Sequence, residues 1–312
     1  MSFDVVCVGM AMTDVLIKGV DLQNKYTYEA HRAESVNLWV GGDAVNESVV
    51  LAKLGVKTKL IAGVGTDATG GFIKNLVTSQ GVNTDDFVLV DDYNSMVSIV
   101  MIDASGERSF IFAGTIAGDH FKPNLEALKG AKIVSLGSMG VPPISNNESI
   151  LRIVKAAKEN SSIVCADAVY MPGGFTYADL KESLQYIDYV FPNLDEARAL
   201  TGKQEIDEVA KVILDYGVKD AIIKQGKDGC WAFTKDRKLF VPAYKVNAID
   251  TTGAGDNFMA GFMCAILDGK DLEECCKFAT ATAAVSIQAI GANTGVKSKQ
   301  QVLDFIKTMG TQ

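Results

Sequence analysis

The sequence predicts an α/β protein with a mostly parallel central sheet covered by helices on both faces, and a small β-sheet that acts as a lid. Two observations support this prediction. Short apolar runs alternate with amphipathic helical patterns along most of the 312 residues, which is typical of parallel strands buried by helices. Two segments interrupt that rhythm, and we expect them to form a separate sheet projecting from the main one.

The main-sheet strands are predicted from short runs rich in Val, Ile and Leu. These runs cover residues 3–9, 59–63, 132–136, 162–166, 187–191 and 221–224. Segments with helical periodicity lie between these runs, and some of the segments end at a glycine. The predicted helices cover residues 44–55, 70–81, 149–159, 194–201 and 205–216.

The two interrupting segments are predicted to form the lid. Residues 95–113 (SMVSIVMIDASGERSFIFA) alternate between apolar and polar about an ASGER turn, which indicates a β-hairpin, and residues 35–40 (SVNLWV) indicate a further strand. No linker, repeat or low-complexity tract divides the chain. We therefore expect one domain over residues 1–312, with a lid formed by segments of about 14–41 and 95–115. Such an appendage can cover a pocket or form a dimer contact.

Composition excludes several functions. A formal net charge of −8 disfavours a nucleic-acid partner. The only histidines are His31 and His120, which argues against a histidine zinc site or a Ser-His-Asp triad. The six cysteines form no C-x-x-C pair, and we interpret them as small buried hydrophobic side chains in a protein from a reducing compartment. The chain offers no secretory signal and no membrane span, so we expect a cytoplasmic protein without a membrane partner.

The stretch AIDTTGAGDNFMAG (248–261) places one carboxylate, Asp256, behind a turn that carries almost no side chains. A helix that begins at Ala254 or Gly255 presents unpaired N–H groups and the positive end of its dipole. Because Gly253, Ala254 and Gly255 are small, an anion can lie against those N–H groups. The dipole favours an ionised Asp256, which could then accept a proton from a neighbouring hydroxyl. This combination suits phosphoryl transfer.

Familiar nucleotide fingerprints are absent: no G-x-x-x-x-G-K-[ST] occurs, and G-x-G-x-x-G fails at Ala68. Three other motifs resemble those of the pfkB, or ribokinase-like, family of carbohydrate kinases, which includes ribokinase, fructokinase and adenosine kinase. They are GGDAVNESVVLAKLG (41–55) followed by Gly65, NLDE (193–196), and DTTGAGDNFMAG (250–261). The motifs follow the family's order, and the resemblance spans nearly the whole chain.

The resemblance implies a ribokinase-like fold and a sugar kinase that uses ATP and Mg²⁺. It implies that Asp256 is the catalytic base and that Gly253, Ala254 and Gly255 form the anion hole for the γ-phosphate. It places Asn193 near the phosphates and Glu196 near Mg²⁺, through water. It also implies that Lys224, Gly226, Gly229 and Thr280 adjoin the nucleotide. For a K⁺ ion, present in many members, it implies Asp250, Thr252 and the carbonyl groups of Ile287, Ile290 and Ala292.

On the sugar side, the resemblance implies that Asp14, Gly41, Gly42 and Asn46 bind the substrate hydroxyls. A polyol needs such acceptors and amides, because polar groups left unpaired in a closed site are costly. The lid, including Trp39, would exclude water. Lid-to-lid contacts occur in the family, so a homodimer through the lid is a further expectation.

The sequence favours a neutral sugar, a pentose or a ketohexose, as the substrate. Asp43 and Asp67 make the region around the Gly-Gly turn acidic, and the basic candidates Lys18 and Arg108 read as solvated lid-edge charges. After the strand at 132–136 some relatives carry an acidic sugar ligand, whereas this chain has Ser138, which argues against ribose itself.

Three alternatives stay open at this stage. A nucleoside kinase could use Trp39 and Phe112 to clamp the base, and a sugar-phosphate kinase belongs to the same family. A non-catalytic sugar or nucleotide sensor is a different class, and such a sensor would not need Asp256. A nicotinamide dehydrogenase is disfavoured, because the chain lacks both the glycine fingerprint and a catalytic histidine in a suitable context.

Overall fold

The structure is a computed structural model that describes residues 2–19, 32–102, 108–114, 116, 118–171 and 174–310. Its strands, in chain order, are β1 Val5–Gly9, β2 Met12–Lys18, β3 Ser35–Gly41, β4 Thr58–Gly65, β5 Val88–Val90, β6 Met96–Ile102, β7 Arg108–Ala113, β8 Ile133–Met139, β9 Ile163–Ala168, β10 Tyr189–Val190, β11 Asp220–Lys224, β12 Gly229–Phe233 and β13 Lys238–Pro242.

The helices are α1 Asp43–Lys53, α2 Ala68–Ser79, α3 Asn147–Glu159, α4 Lys181–Leu184, α5 Leu194–Thr201, α6 Ile206–Asp215, α7 Ala254–Leu267, α8 Leu272–Ser286 and α9 Lys299–Met309. Short 3₁₀ turns cover Leu125–Leu128 and Gly226–Asp228. No helix within the described residues is both long and apolar enough to cross a membrane.

The main sheet, over the described part of the chain, has nine strands in the order β13-β12-β11-β10-β9-β8-β1-β4-β5. The pairings from β11 through β5 are parallel, whereas β12 and β13 add an antiparallel edge. Residues 224–229, which include three of the predicted nucleotide residues, form the β11–β12 hairpin connection. The predicted fold class, a mostly parallel sheet with helices and a separate small sheet, is confirmed.

Both faces of the main sheet are covered, because successive residues of a strand point to opposite faces. In β1, Val5 and Cys7 join one apolar core together with α1, α7 and α8, whereas Val6 and Val8 join a second core with α3, α5 and α6. All five β1 residues are buried. This double burial explains why the central strands are continuous apolar runs rather than alternating ones.

Among the described residues, the lid is a four-stranded sheet in the order β3-β2-β6-β7. The predicted hairpin is confirmed: β6 and β7 are antiparallel, with Met101 opposite Ser109. β3 confirms the predicted strand, whereas β2, which pairs with β3 and β6, was not predicted as a strand. Residues 103–107, with most of the ASGER turn, and residues 20–31 of the predicted lid segment, including His31, lie outside the described residues.

Glu47 is a fully buried carboxyl group on α1, beneath the C-terminal ends of the central strands. The Ser135 hydroxyl donates to its Oε2, whereas its Oε1 has no hydrogen-bond partner among the described residues. Burial raises the pKa of Glu47 well above its ordinary value of 4.5, although the bond from Ser135 opposes this, and the negative charge of Asp256 adds to it.

We expect Glu47 to make stability depend on pH. Because its folded-state pKa is raised, the stability it contributes is complete below pH 4.5 and is lost as the pH rises towards the folded-state pKa. The neutral Glu47→Gln variant should therefore gain in Tm relative to the unmodified chain between about pH 5 and pH 8, since each pKa unit is worth about 1.4 kcal/mol. Glu159→Gln, at an exposed position, is the control. A constant Tm difference across this range would contradict the assignment.

Candidate active site

A cleft of about 240 Å³ lies where the lid faces the first turns of α1 and α7. The lid strands contribute one wall, with Asp14, Leu16, Trp39, Ser98, Val100 and Phe112. The opposite side carries Asn46, Asp250, Gly253, Asp256 and Asn293. The cleft therefore brings the predicted sugar-binding residues and the predicted catalytic turn together, although they are more than two hundred residues apart in the sequence.

The turn before α7 leaves backbone N–H groups available for an anion. Gly253 has φ 73°, and a Cβ there would lie 2.6 Å from the Ala292 carbonyl oxygen, so the position requires glycine. The Ala254 N–H donates to the Thr251 carbonyl oxygen at 3.2 Å. No acceptor among the described residues bonds the N–H groups of Gly255 and Asp256. These two donors, at the positive end of α7, form an anion-binding concavity.

Asn257 fixes the position of this turn. Its Nδ2 donates to the Gly253 carbonyl oxygen at 2.7 Å and to the Ala292 carbonyl oxygen at 2.6 Å. The side chain is completely buried on the first turn of α7. It thereby ties the catalytic turn to the segment that follows α8. Sequence reasoning did not identify Asn257, although it adjoins Asp256.

Asp256 is held by a chain of two amide side chains. Asn46 Nδ2 donates to Asp256 Oδ2 at 2.7 Å, and Asn293 Nδ2 donates to Asn46 Oδ1 at 2.9 Å and to the Val40 carbonyl oxygen at 3.2 Å. The Val40 carbonyl can only accept, so it fixes the orientation of the Asn293 amide. The Asn46 amide must then present its nitrogen to Asp256. Asn293 is thus a site residue that sequence reasoning missed.

Burial opposes the effect that the helix dipole is expected to have on Asp256. Asp256 is 8% exposed, and burial raises its pKa well above the ordinary value. The negative charge of Asp43 adds to the rise, while the bond from Asn46 opposes it. Desolvation outweighs the dipole, whose effect is worth at most about 2 kcal/mol. When it is ionised, Asp256 is therefore a stronger base than an exposed aspartate.

Asp14 faces Asp256 across the cleft from the lid strand β2. Burial raises its pKa to about 6, although a hydrogen bond with Ser98 opposes the rise. A Cβ on Gly41 would lie 2.1 Å from Asp14 Oδ2, so glycine at that position makes room for the carboxylate. Gly42, with φ 96°, turns the chain into α1 and brings Asn46 into the cleft. All four predicted sugar-side residues therefore adjoin the cleft or a residue in it.

Lys224 lies against the anion-binding turn. Its Nζ is 2.6 Å from Asp167 Oδ2, and only 2.9 Å from where a Cβ on Gly255 would stand. Burial lowers its pKa, but the charges of Asp167 and Glu196 outweigh this effect, so the pKa is raised and the ammonium stays charged. Asp167 was not identified from the sequence, although it ends the parallel strand β9, where site residues are expected.

The N-x-x-E motif begins α5 as a capping box. Asn193 Oδ1 accepts from the Glu196 N–H at 2.9 Å, and Glu196 Oε2 accepts from the Asn193 N–H at 2.8 Å. Burial raises the pKa of Glu196 to about 7, with a contribution from the charge of Asp167 and opposition from Lys224. The motif is thus structural in itself, and Asn193 pairs with Lys224 beside the site.

The residues present fit a Mg²⁺ ion held mainly by a nucleotide. No group of three or more metal-ligating side chains occurs among the described residues. Mg²⁺ commonly keeps several waters and binds through one or two carboxylates together with substrate phosphates. Glu196, predicted to act through water, and Asp167 are the carboxylates beside Lys224 that could serve in this way.

The other predicted nucleotide residues lie along β12 and α8. Gly226 and Gly229 bound the β11–β12 turn, and a Cβ on Gly229 would lie 2.1 Å from the Val241 carbonyl oxygen. Thr280 Oγ1 donates to the Cys276 carbonyl oxygen at 2.7 Å, so its hydroxyl is engaged within its own helix. These residues lie outside the cleft that holds Asp14 and Asp256. Their role at the nucleotide stays a prediction.

The oxygen atoms of Asp250 and of the three carbonyl groups predicted to bind K⁺ already accept hydrogen bonds from other protein groups. Asp250 Oδ1 accepts from the Thr252 N–H and hydroxyl at 3.0 and 2.7 Å, and its Oδ2 accepts from the Gly291 N–H at 2.9 Å. The three predicted carbonyl oxygens also accept hydrogen bonds from protein donors. These are Ile287 from Ile249 and Asp250, Ile290 from Thr294, and Ala292 from Asn257. The K⁺ assignment stays a prediction.

Comparisons with known proteins give the family. The model of the pfkB family carbohydrate kinases matches residues 2–299. A ribokinase from Haemophilus influenzae is 29% identical over 287 residues, covering 89% of this chain and 91% of the relative. A nucleoside kinase from Methanothermobacter thermautotrophicus is 28% identical over 260 residues, covering 82% and 81%.

The solved structure of an Arabidopsis thaliana ribokinase complexed with ribose and ATP superposes with a TM-score of 0.82. The two chains are 27% identical, and the match covers 98% of this chain and 99% of the other. Use of ATP and Mg²⁺ is typical of such kinases. The chain belongs to the pfkB family of carbohydrate kinases and is a sugar or nucleoside kinase with a ribokinase-like fold.

Proposed function

We propose that this protein transfers the γ-phosphoryl group of ATP to a hydroxyl group of a small neutral sugar unit, a pentose or a ketohexose. Asp256 is the catalytic base, and the Gly253–Gly255 turn is the anion hole. The observation that carries the proposal is that Asp256 and Gly253 share one cleft with Asp14 and Asn46, while the N–H groups of Gly255 and Asp256 beside them donate no bond to described residues.

The chemical step follows from this arrangement. The sugar hydroxyl gives its proton to the Asp256 carboxylate while its oxygen forms a bond to the γ-phosphorus. The bond between that phosphorus and the β–γ bridging oxygen breaks, and ADP leaves with the electron pair. The Gly255 and Asp256 N–H groups and the Lys224 ammonium stabilise the charge on the transferred group. Mg²⁺, when bound near Glu196, neutralises phosphate charge.

The charge of the cleft supports a neutral acceptor. Asp14, Asp43, Asp250 and Asp256 line it, and none of the lining residues that the structure describes is Lys, Arg or His. A sugar phosphate or an acidic sugar would need a cation close to its anion. A nucleoside kinase is the second candidate, because Trp39 and Phe112 line the same cleft.

Cofactor and location complete the proposal. ATP is the expected partner of the anion hole and Mg²⁺ that of Glu196, and K⁺ beside Asp250 would have to compete with the donors already bonded there. We also propose a cytoplasmic location, where ATP is available. All the cysteines that the structure describes are unpaired and buried, which agrees with a reducing compartment.

Replacing Asp256 by Asn tests the assigned base. The amide keeps the size of the side chain but cannot take the proton, so turnover should fall by about 10²–10⁴-fold, while sugar affinity stays within a few-fold. Coupled ADP release and calorimetric sugar binding measure the two effects. Asp236→Asn, on an exposed turn, is the control. Full activity of Asp256→Asn would contradict the mechanism and indicate that another group is the base.

The pH dependence of sugar binding tests Asp14. The ionised carboxylate accepts stronger hydrogen bonds from substrate hydroxyls than the protonated acid does, and burial raises its pKa to about 6. The KM for the sugar should therefore rise as the pH falls below about 6, whereas it should be constant in Asp14→Asn, at a higher value. Initial rates between about pH 5 and pH 8 measure this. An identical pH profile of KM in the two proteins would rule out the role.

A homodimer through the lid is also part of the proposal. Val36, Leu38 and Ile111 are 59%, 54% and 50% exposed. They alternate along β3 and β7 with Trp39 and Phe112, so they lie on the lid face opposite the cleft. An apolar outer face with exposed edge strands is suited to pairing with a second copy.

Leu38→Glu should convert a dimer into a monomer, because it would bury a charge at the centre of that face. Light scattering coupled to size exclusion measures the mass. Leu89→Glu, on β5 at 55% exposure, is the matched control and should leave the mass unchanged. A monomeric unmodified chain would refute the lid dimer.

A further inference from the structure

Asn293 lines the cleft from the segment between α8 and α9, and its side chain has one stable orientation. Its Nδ2 donates to Asn46 Oδ1 at 2.9 Å and to the carbonyl oxygen of Val40, on the lid strand β3, at 3.2 Å. An amide nitrogen has two hydrogens, so these two bonds use both. The reversed amide would bring Oδ1 against two acceptors, and it is therefore excluded.

The backbone that carries Asn293 is also fixed. Lys53, the last residue of α1, donates from Nζ to the Asn293 carbonyl oxygen at 2.5 Å. The neighbouring carbonyl group, that of Ala292, accepts from Asn257 on α7. Because Asn46 and Lys53 lie at the two ends of α1, that helix contacts Asn293 through both its side chain and its backbone.

The orientation of Asn293 determines which atom Asn46 presents to Asp256. Since Asn46 Oδ1 accepts from Asn293, its Nδ2 faces Asp256 and donates to Oδ2 at 2.7 Å. An amide N–H favours the ionised carboxylate, whereas an amide oxygen could bond only to the protonated acid. A reversed Asn46 would place its Nδ2 against Asn293 Nδ2, donor against donor. Asn293 thus excludes the arrangement that favours protonated Asp256.

The other surroundings of Asp256 make this bond important. Burial and the negative charge of Asp43 raise its pKa, and the bond from Asn46 opposes the rise. A carboxyl group that is already protonated cannot take a proton from a hydroxyl. The bond from Asn46 therefore increases the fraction of Asp256 that can act as a base.

We propose that Asn293 is a positioning residue for phosphoryl transfer, which acts through Asn46 to hold Asp256 as a carboxylate with Oδ2 bonded and Oδ1 available for the proton. The inference rests on the kinase function proposed above, in which Asp256 is the base. Asn46 is the side chain that donates to Asp256 among the described residues. The O–H bond of the sugar hydroxyl breaks, its proton passes to Oδ1, and its oxygen forms the bond to the γ-phosphorus. Asn46 keeps one N–H for the sugar.

Asn293→Asp keeps the size of the side chain but replaces its two donors by acceptors. The new carboxylate would accept from Asn46 Nδ2, so that Asn46 would present Oδ1 to Asp256. We expect kcat to fall by about 10–100-fold, while the KM for the sugar stays within a few-fold. Coupled ADP release by the full chain measures both. Asn160→Asp, which removes a bond to the Ala156 carbonyl oxygen on the distant helix α3, is the control and should change neither constant. A kcat of Asn293→Asp within about twofold of the unmodified value would overturn the assignment.

The pH profile of kcat separates positioning from a loss of folded protein, because the position of its acidic limb does not depend on how much enzyme is folded. Asn293→Leu removes the donors without adding a charge, so it suits this test and also serves if Asn293→Asp does not fold. Its acidic limb should lie about one pH unit higher, a roughly tenfold change in the proton affinity of the base. An unmoved limb would overturn the assignment. The charged groups around Asp256 are the same in this variant and in the unmodified chain: Asp14 on β2, Asp43 and Glu47 on α1, Asp167 on β9, Lys224 on β11 and Asp250 before α7.

A double-mutant cycle shows whether Asn293 acts through Asn46. Asn293→Leu alone should lower kcat by about tenfold, whereas in an Asn46→Ala background it should change kcat by no more than about twofold. Losses that multiply would indicate an independent structural effect and would overturn the assignment. Turnover by the unmodified chain tests the kinase proposal separately. No phosphorylation of any sugar would count against that proposal, whereas normal turnover with unaffected Asn293 variants would overturn only the role of Asn293.

Discussion

The hydrogen bond between Asn46 and Asp256 is the contact on which the site depends. It joins the first turn of α1 to the first turn of α7, between residues separated by 210 positions. Both side chains are almost completely buried. Removing either one would leave the other as an unpaired buried polar group, which would destabilise the fold. The two helices are consequently fixed against each other at the proposed catalytic residue, and the Gly42 and Gly253 turns are needed to bring them there.

Several carboxyl groups are buried close to one another around Lys224, which is electrostatically unfavourable. Burial raises the pKa of Asp43, Glu196 and Asp256, the charge of Asp167 adds to each rise, and the charge of Lys224 opposes it. A carboxylate cluster with one ammonium carries excess negative charge, which would repel phosphates. A divalent cation arriving with the nucleotide would correct this imbalance, which gives a physical reason for the metal use typical of the family.

The parts predictable from the sequence were those with a local signal. The central strands are recognisable because burial on both faces demands continuous apolar runs. The α7 turn is recognisable because Gly253 and Asp256 are only three residues apart in the chain. β2 was missed because Thr13, Asp14 and Lys18 interrupt its apolar character. Asn293 gives no local signal at all, since its partner Asn46 is 247 residues away. N-x-x-E was interpreted as a motif for phosphate and Mg²⁺, and the structure shows that the same two side chains form a capping box at the start of α5.

Asp14 and Asp256 belong to different parts of the fold. Asp14 lies on a lid strand, whereas Asp256 lies on a helix that packs on the main sheet. Both carboxylates line the same cleft, so only a ligand that spans the cleft can touch both at once. In the proposed function the sugar does so, whereas a single water molecule is too small to be oriented by both. Dividing the two acids between lid and body would thereby favour transfer to the sugar over hydrolysis of the phosphate donor.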